Sequence, residues 1–395
     1  MSELAVMSDP KLSEILRKKE FFDNPYDTYR YMRENAPVFY DQPSKLWFIT
    51  RHEDVERALD NPSIYSSSRG NALQDTPLRV GKTLGSMDPP RHDQLRGIIG
   101  RGLNPRRINA AIPHFRTAVI NRIEAVAGQR RCDLVKDITR PVILEVLGIM
   151  LGLDAEAAAR GAKLQEGLFH HTDGPLGSAM SPEDFGGVIA LLRDQLERRK
   201  CELSDDLFSV LLEAQASGLQ VSNEEIIANM STVLLAGAAS LGHFAPNIFH
   251  ALWSHPDQAK KVAADLDLLD QAIEEAVRWD TSTQAFARHT LADVTVAGTN
   301  IPAGSRLAVV YASANRDSTV IENADTFDIF RSRVRHFGFG GGVHHCLGAS
   351  AARLFCKSLA LELLPALGLC EMDLPAATRV EHFMVRGFVS LPISW

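Results

Sequence analysis

Cysteines are scarce in this 395-residue chain, and their placement excludes two classes of protein. The five cysteines are scattered, odd in number and never spaced Cys-x-x-Cys: Cys132, Cys201, Cys346, Cys356 and Cys370. Such a set does not form the disulfide framework of a small secreted protein. It also lacks the paired ligands of a structural zinc site. The sequence therefore predicts free thiols in a reducing compartment, and we expect a cytoplasmic protein.

Linkers, repeats and charge blocks are also missing. Length alone favours two or three domains, at roughly 150 residues each, but no Pro/Gly/Ser-rich stretch marks a boundary. The balance of 42 basic and 49 acidic residues gives a net charge of −7. That sign argues against general nucleic-acid binding.

A secretion signal is absent as well, since residues 1–22 mix charges with short apolar pairs. Residues 226–253 carry no Asp, Glu, Lys or Arg, and a stretch of this length could span a bilayer. It nevertheless contains Asn229, His243 and Asn247, which a lipid-facing helix would expose. The pattern predicts a buried helix in a soluble protein without a membrane partner.

Sequence periodicity predicts a mainly α-helical chain with small β-sheets. Residues 66–86 read as a long loop, of a length that is often functional. Helices are predicted at 24–36, 53–59, 105–215 with a break near 170–177, 226–253, 256–280 and 349–367. Strands are predicted at 46–50, 294–296 and 307–310, with a turn at 301–304 and a hairpin within 380–395.

Residues 339–348 read Phe-Gly-Gly-Gly-Val-His-His-Cys-Leu-Gly and are the most informative stretch. They place Cys346 at the end of a glycine-rich loop, just before a predicted helix. Free backbone N–H groups there stabilise negative charge on sulfur and favour a metal-bound thiolate. Gly342 and Gly348 would let the backbone approach a flat ligand closely.

Two other interpretations of this loop compete with a metal-bound thiolate. A phosphate-binding G-x-G-x-x-G starting at Gly338 fails, because its third glycine falls on Val343. A zinc site needs about four converging ligands, and the consecutive His344, His345 and Cys346 rarely converge on one ion. A structural turn or another metal site is the alternative to a metal-bound thiolate beside a flat ligand.

The ten positions resemble the heme-binding loop of the cytochrome P450 family, Phe-Gly-x-Gly-x-His-x-Cys-x-Gly, at every fixed position. The resemblance extends from about Asn24 to the C-terminus and points to the soluble bacterial type. It implies a single heme-thiolate domain over residues 1–395, mainly α with small β-sheets. It also implies heme b (iron protoporphyrin IX) as cofactor, with Cys346 as the metal ligand.

The same resemblance implies roles for further residues. His92 and Arg96 lie at i and i+4, on one helical face, and would bind the heme propionates. A solvated basic face is the alternative for that pair. Additional cofactor-binding positions follow by alignment with the family: Gly237, Arg288, Phe339, Gly340, His344 and Gly348.

Glu275 and Arg278, at i and i+3, match the family's Glu-x-x-Arg signature. Spacing alone would make them an ordinary surface pair. With Arg331 they would form a buried ion network behind the heme, with a structural role.

The chain departs from the family at Ala236-Gly-Ala-Ala-Ser240, where the usual pattern is Ala-Gly-x-(Asp/Glu)-Thr. Ala239 replaces the acid and Ser240 the threonine, the two catalytic positions that deliver protons. Ser240 keeps a hydroxyl, whereas a methyl group cannot move protons. Protons could pass through Ser240 and ordered water, the substrate could supply the missing polar group, or the enzyme could use hydrogen peroxide. His243 is a candidate substitute, although a core histidine is the simpler interpretation.

By family position, the substrate would contact Leu235, Ala238, Gln284 and Phe286, and the segments 66–86, 169–176 and 383–385. This mainly apolar set favours a compact hydrophobic substrate. Ser66–Gly70 and Ala314–Asp317 resemble the group that oxidises small aromatic acids and methoxyaromatics, so Arg69 could hold a carboxylate. Plain turn chemistry in Ser66–Gly70 and a terpenoid substrate are the alternatives.

The resemblance implies a monooxygenase that hydroxylates or O-dealkylates its substrate with dioxygen, as a monomer. Electrons would come from a ferredoxin-type donor and an NAD(P)H reductase, since the chain is too short to hold its own reductase. A local excess of arginine could dock an acidic donor, although a solvated surface is the alternative: Arg91, Arg96, Arg101, Arg106 and Arg107. A peroxide-dependent peroxygenase and a non-catalytic heme-binding protein are the other hypotheses.

Overall fold

Helices dominate the architecture, as the sequence pattern predicts. The computed structural model describes residues 9–75, 77, 79–153, 157, 158, 160, 161, 164, 176 and 182–395. The helices are α1 (Pro10–Ile15), α2 (Lys19–Asp23), α3 (Tyr26–Asn35), α4 (His52–Asp60), α5 (Arg91–Gly102), α6 (Pro105–Ala127), α7 (Arg140–Met150), α8 (Pro182–Cys201), α9 (Leu207–Ala216), α10 (Asn223–Trp253), α11 (Pro256–Ala264), α12 (Leu269–Trp279), α13 (Tyr311–Ala314) and α14 (Ala349–Leu367). A π-helix covers Leu134–Thr139, and 3-10 turns cover Leu84–Ser86, Leu266–Leu268 and Gly342–His344.

The strands are short and form four sheets. They are β1 (Val38–Asp41), β2 (Leu46–Ile49), β3 (Tyr65–Ser66), β4 (Arg131–Asp133), β5 (Ala285–Thr290), β6 (Val294–Val296), β7 (Thr299–Ile301), β8 (Arg306–Val310), β9 (Glu371–Met372), β10 (Thr378–Arg379), β11 (Phe388–Ser390) and β12 (Pro392–Ser394). The largest sheet has the order β1-β2-β8-β5-β3, in which only β2 and β8 run parallel. The others are β4-β12-β9, β10-β11 and β6-β7.

Helix α10 is the central element of the helical core. A reciprocal capping box fixes its start, since Ser222 and Glu225 each bond the other's backbone N–H. Among the described helices it alone is long and apolar enough to cross a membrane, by length and composition. Of its most apolar 18-residue window, 56% is buried inside the protein. Its packing in the main hydrophobic cluster matches the predicted core helix.

The predicted C-terminal hairpin is wrong. Strand β11 pairs with β10, whereas β12 lies between β4 and β9 in another sheet. Only Leu391 separates β11 from β12, and one residue is too short a connection for a hairpin. The chain therefore passes directly from one sheet into the next.

The predicted helix over 256–280 is two helices. Chain direction changes after α11, where the Asp265 side chain accepts a hydrogen bond from the Asp267 backbone and starts a 3-10 turn. Strand β5, which the sequence pattern did not predict, is almost wholly buried and contributes to the wall of the site.

Candidate active site

Backbone hydrogen bonds close the Cys346 loop into a rigid turn. The Cys346 N–H donates to the Phe339 carbonyl at 2.9 Å, and the His345 N–H donates to the Gly342 carbonyl at 3.1 Å. Gly340 and Gly342 have φ of +67° and +58°, which favour glycine. The loop thus presents Cys346 two residues before the N-cap of α14.

The two glycines predicted to admit a flat ligand behave differently. A Cβ at Gly342 would lie 2.0 Å from the Leu59 carbonyl oxygen, so Gly342 is required by its contact with α4. A Cβ at Gly348 would meet only Cys346 Sγ, at 3.9 Å. Space for a ligand therefore exists beside Gly348, and the interpretation of Gly342 is corrected.

The Cys346 thiol lies in a recess. Its side chain is accessible to solvent although protein atoms surround it densely. Burial raises the pKa of the thiol, while the Gly348 N–H and the charges of Arg96 and Arg353 act in the opposite direction. These three groups are positioned to stabilise a thiolate once a cation binds the sulfur.

Four cationic or hydrogen-bonding side chains gather beside this recess. The rings of His92 and His344 are 4.5 Å apart, and burial together with the charges of Arg288, His92 and Arg96 lowers the pKa of His344 to about 2. The Nε2 atoms of both histidines are buried without a hydrogen-bond partner. Because such atoms are costly to leave unpaired, the cluster fits a ligand with anionic acceptor groups, as heme propionates are.

Helix α10 forms the opposite wall. Ala236 and Ser240 are exposed at i and i+4, and Phe244, one turn further along the same face, packs its ring 5.8 Å from that of Phe339. This face therefore runs along the recess toward the cysteine loop. The Ser240 hydroxyl donates to the Ala236 carbonyl at 2.5 Å. Ala239 is half-buried beside it.

Two other α10 residues, Gly237 and His243, face the core. A Cβ at Gly237 would lie 2.8 Å from Leu147 Cδ2, so this glycine accommodates α7, and the predicted cofactor contact has no geometric support. His243 is buried against Gly387, and burial lowers its pKa to about 3. These contacts favour the core-histidine interpretation over a proton relay.

Glu275, Arg278 and Arg331 meet in a buried network. Arg278 binds Glu275 in bidentate geometry at 2.8 and 2.7 Å, and Arg331 Nε reaches the same carboxylate at 3.1 Å. Arg278 is 1% exposed and donates further to the carbonyls of Asn315, Ala324 and Thr326. The network ties α12 to the segment that precedes the cysteine loop.

A second network next to the thiol was not predicted. Arg353 lies seven residues after Cys346 on the chain, with its guanidinium 4.2 Å from the Phe339 ring centroid. Glu274 binds Arg353 at 2.7 Å through two hydrogen bonds and His336 at 2.9 Å. No local sequence pattern pairs Glu274 with Arg353, because the two residues are 79 positions apart.

The predicted substrate residues separate into two groups. Leu235 and Ala238 are half-buried against the helical core, and Phe286 is half-buried with its ring 6.2 Å from that of Tyr311. Gln284 is 3% exposed, accepts from the Tyr29 hydroxyl at 2.9 Å and donates to the Thr281 carbonyl. These two bonds hold the Gln284 side chain in the core, and its contact with substrate stays a prediction.

The structure also places parts of the three segments that were predicted to contact substrate. Leu73, Leu176 and Phe383 are buried in one hydrophobic cluster, whereas residues 169–175 lie outside the described part of the chain. Ser66 and Ser67 both donate to the Asp88 carboxylate. The serine run is therefore turn chemistry.

The predicted basic patch is largely neutralised. Arg91 pairs with Glu225 at 2.8 Å, and Asp205 pairs with Arg107 at 2.6 Å and with Arg106 at 3.7 Å. Arg96 faces the thiol, so Arg101 is the one member of this five-arginine patch that is exposed and makes no ion pair with a described residue. Within the described residues, no three His, Cys, Asp or Glu side chains form a cluster that could hold a metal ion.

Comparisons with known proteins agree with this geometry. A cytochrome P450 family model matches residues 187–366. The chain is 32% identical to a steroid C26-monooxygenase of Mycolicibacterium smegmatis, over 93% of this chain and 92% of that one. It is 31% identical to a vitamin D(3) 25-hydroxylase of Pseudonocardia autotrophica, over 95% and 94%. The crystal structure of CYP109E1 from Bacillus megaterium in complex with testosterone has a TM-score of 0.86 at 26% identity, covering 95% of this chain and 99% of that one.

Proposed function

The chain belongs to the cytochrome P450 family of heme b monooxygenases, and we propose that Cys346 is its axial iron ligand. The observation that carries this proposal is the position of the thiol, in a recess beside the Gly348 N–H and opposite an exposed face of α10. Heme b, when bound, supplies the oxygen activation and one-electron chemistry.

The remaining contacts with heme follow from the cationic cluster. His92, Arg96, Arg288 and His344 would hold the propionates, which would pair the two orphaned Nε2 atoms. Phe339, Gly340 and Gly348 would shape the cysteine side of the binding surface. Glu275, Arg278 and Arg331 would keep this loop in place from behind.

Ser240 is the proposed proton-handling residue of the opposite wall. Its hydroxyl has one proton, which it donates to the Ala236 carbonyl, while its lone pairs can accept from water. Donation into the recess therefore requires rotation about χ1 or a water molecule that takes part in the relay. Ala239 adds no polar group, so Ser240 acts without the neighbouring acid of its relatives.

The proposed substrate is a compact hydrophobic molecule that is hydroxylated or O-dealkylated, an aromatic one being the specific candidate. Leu235, Ala238 and Phe286, which are apolar and half-buried, support an apolar substrate class. The names of the steroid and vitamin D(3) relatives indicate hydrophobic substrates as well.

We further propose a cytoplasmic monomer that forms one heme-binding unit over residues 1–395. Its redox partner would be a ferredoxin-type protein reduced by an NAD(P)H-dependent reductase. The exposed Arg101 and the weakly paired Arg106 are the positive groups available to an acidic donor, in a chain of net charge −7.

Replacement of Cys346 by Ser tests the proposal. The wild-type protein should be coloured and, when reduced under carbon monoxide, should give the absorption band of a thiolate-bound heme. C346S should lose that band, because a hydroxyl is a poor donor to iron. The control C356S removes a buried thiol on α14 and should keep the absorption band. A colourless wild type, or an unchanged band in C346S, contradicts the proposal.

A second candidate function is a peroxygenase. It is favoured by Ala239 and by the engagement of the Ser240 hydroxyl with the Ala236 carbonyl, since hydrogen peroxide arrives with its own protons. Product formed faster with peroxide than with NAD(P)H, reductase and ferredoxin would support it. No product under either condition would favour the non-catalytic heme-binding hypothesis.

A further inference from the structure

The carboxylate of Glu274 holds two separate parts of the chain next to Phe339. It accepts two hydrogen bonds from the Arg353 guanidinium on α14, both at 2.7 Å, and its Oε1 also lies 2.9 Å from His336 Nε2. The Arg353 guanidinium in turn lies over the Phe339 ring, 4.2 Å from the centroid. One acid on α12 therefore fixes both a cation on α14 and the segment that leads into the cysteine loop.

His336 connects this acid to the backbone of the cysteine loop. Its Nδ1 atom accepts the Gly338 N–H at 3.1 Å, which leaves Nε2 to donate to Glu274. Gly338 fits closely against α12, because a Cβ there would lie 2.2 Å from a side-chain atom of that helix. Phe339 follows directly, and its carbonyl accepts the Cys346 N–H at 2.9 Å. The distance between the Arg353 charge and the thiol is thus set by a continuous series of hydrogen bonds.

Arg353 is the cation near the thiol whose charge is offset by an acid of this chain. Burial disfavours a thiolate at Cys346, whereas the charges of Arg96 and Arg353 favour it. Arg96 is proposed to hold a heme propionate, which would offset its charge. Arg353 pairs with Glu274, and the two side chains are 36% and 32% exposed, so water screens part of their effect.

We propose that Arg353, positioned by Glu274, tunes the reduction potential of the heme iron through the Cys346 thiolate. A positive charge close to the sulfur stabilises the state that has gained an electron, so it favours ferrous over ferric iron. The Glu274 carboxylate counteracts part of that charge and fixes its position. Reduction adds one electron, which the proposed ferredoxin-type donor supplies. This role of Arg353 rests on the proposed ligation of the iron by Cys346.

Potentiometric titration of the heme-loaded protein with dithionite tests this role. R353Q should lower the midpoint potential, because it removes the cation and leaves Glu274 uncompensated. E274Q should raise the potential, because Arg353 then keeps its charge without the nearby anion. Each change should be roughly threefold in the reduction equilibrium constant, or about 28 mV for one electron. R353K keeps the charge but loses the bidentate geometry, and its potential should lie between those of wild type and R353Q.

A second ion pair on α14 supplies matched controls. Arg116 on α6 donates to Glu362 on α14 at 2.6 Å, so R116Q and E362Q make the same charge changes at another salt bridge. Glu362 lies nine residues beyond Arg353, which places it about 13 Å further from the cysteine loop along the helix axis. Both control variants should shift the potential much less than R353Q and E274Q do.

Opposite shifts in R353Q and E274Q are the result that a charge effect gives and a merely structural role does not. Potentials that move in the same direction, stay unchanged, or shift as far in the controls overturn the role of Arg353. If E274Q does not bind heme, R353Q and R353K decide, and equal potentials in the two overturn it.

The carbon monoxide spectrum separates this test from that of the proposed function. If the thiolate band persists in wild type and in the variants while the potentials fail to shift as expected, the monooxygenase proposal stands and only the role of Arg353 is lost. If wild type lacks the thiolate band, the proposed ligation by Cys346 is itself refuted.

Discussion

At the scale of single residues, the site departs most from its family at Ala239 and Ser240. One side chain is a methyl group and the other carries the only hydroxyl of this α10 turn. The hydrogen bond from the Ser240 hydroxyl to the Ala236 carbonyl also gives this donor a partner within the helix. The proton transfer proposed for Ser240 therefore requires its hydroxyl to leave the hydrogen bond with the Ala236 carbonyl.

Replacing Ser240 with Ala should uncouple electron consumption from product formation. Product formed per NAD(P)H should fall by up to about 100-fold, the lower end of what a positioned proton donor contributes. S240T keeps the hydroxyl and should restore coupling. The measurement is product against NAD(P)H consumed, with peroxide release recorded in parallel. Equal coupling in S240A and wild type would mean that Ser240 does not handle protons.

At the scale of elements, the Glu275 network determines how α12 meets the segment before the cysteine loop. Glu275 is 6% exposed and also accepts from the Asp328 N–H at 2.9 Å. Its carboxylate is the shared acceptor of the buried Arg278 and the half-buried Arg331, whose other N–H groups bind backbone carbonyls of residues 315–326. Removing this one charge would leave two cations without compensation.

Glu275→Gln should lower the free energy of unfolding by about 3–5 kcal/mol, the usual cost of breaking a buried ion pair from one side. Urea denaturation of the heme-loaded protein, followed by far-UV circular dichroism, measures the effect. Lys19→Met removes an exposed pair with Asp23 and should change little. A change in E275Q no larger than in K19M would show that the network does not hold the loop.

At the scale of the whole molecule, buried carboxylates link distant parts of the chain. Asp280 is 1% exposed and accepts from the Tyr26 hydroxyl at 2.7 Å and from Arg386, so it joins α3, α12 and the segment before β11. Burial alone would raise the pKa of Asp280, but Arg386 and its other partners hold it well below the ordinary value. Glu274 plays the same role beside the cysteine loop.

Acid should therefore destabilise the protein. Burial raises the pKa of Glu274, but hydrogen bonds from His336 and Arg353 outweigh it and lower the pKa from 4.5 to about 2. A carboxyl whose folded pKa is depressed stabilises the fold fully above its unfolded pKa. That stabilisation is lost as pH falls from 4.5 toward 2, and Asp280 adds to the loss below 3.8.

Denaturation midpoints measured in steps from about pH 6 to 3 check this expectation. Each carboxylate that takes up a proton on unfolding adds about 1.4 kcal/mol per pH unit to the slope of the unfolding free energy against pH. The Glu274→Gln variant should lose stability less steeply as pH falls, and it should be less stable than wild type at neutral pH. Constant stability across this window, or an increase toward low pH, would show that these carboxylates are not stabilised in the fold.

Much of the fold and of the site followed from local sequence. The buried helix over 226–253 and the strands at 294–296 and 307–310 could be predicted, because apolar periodicity and turn residues act over neighbouring positions. The cysteine loop could be recognised because its glycines, Cys346 and the helix after it are contiguous. The C-terminal hairpin failed because strand pairing is decided by partners far along the chain.

The sequence by itself determined the family and the cofactor and predicted Cys346 as the ligand thiol, since each follows from a run of adjacent residues. Only the tertiary structure decided which glycines serve packing, that Gln284 belongs to the core, and that Glu274 joins Arg353 across 79 positions. It also placed His289 opposite Arg306 on neighbouring strands. These outcomes depend on burial and on contacts between distant segments, which no local pattern of residues specifies.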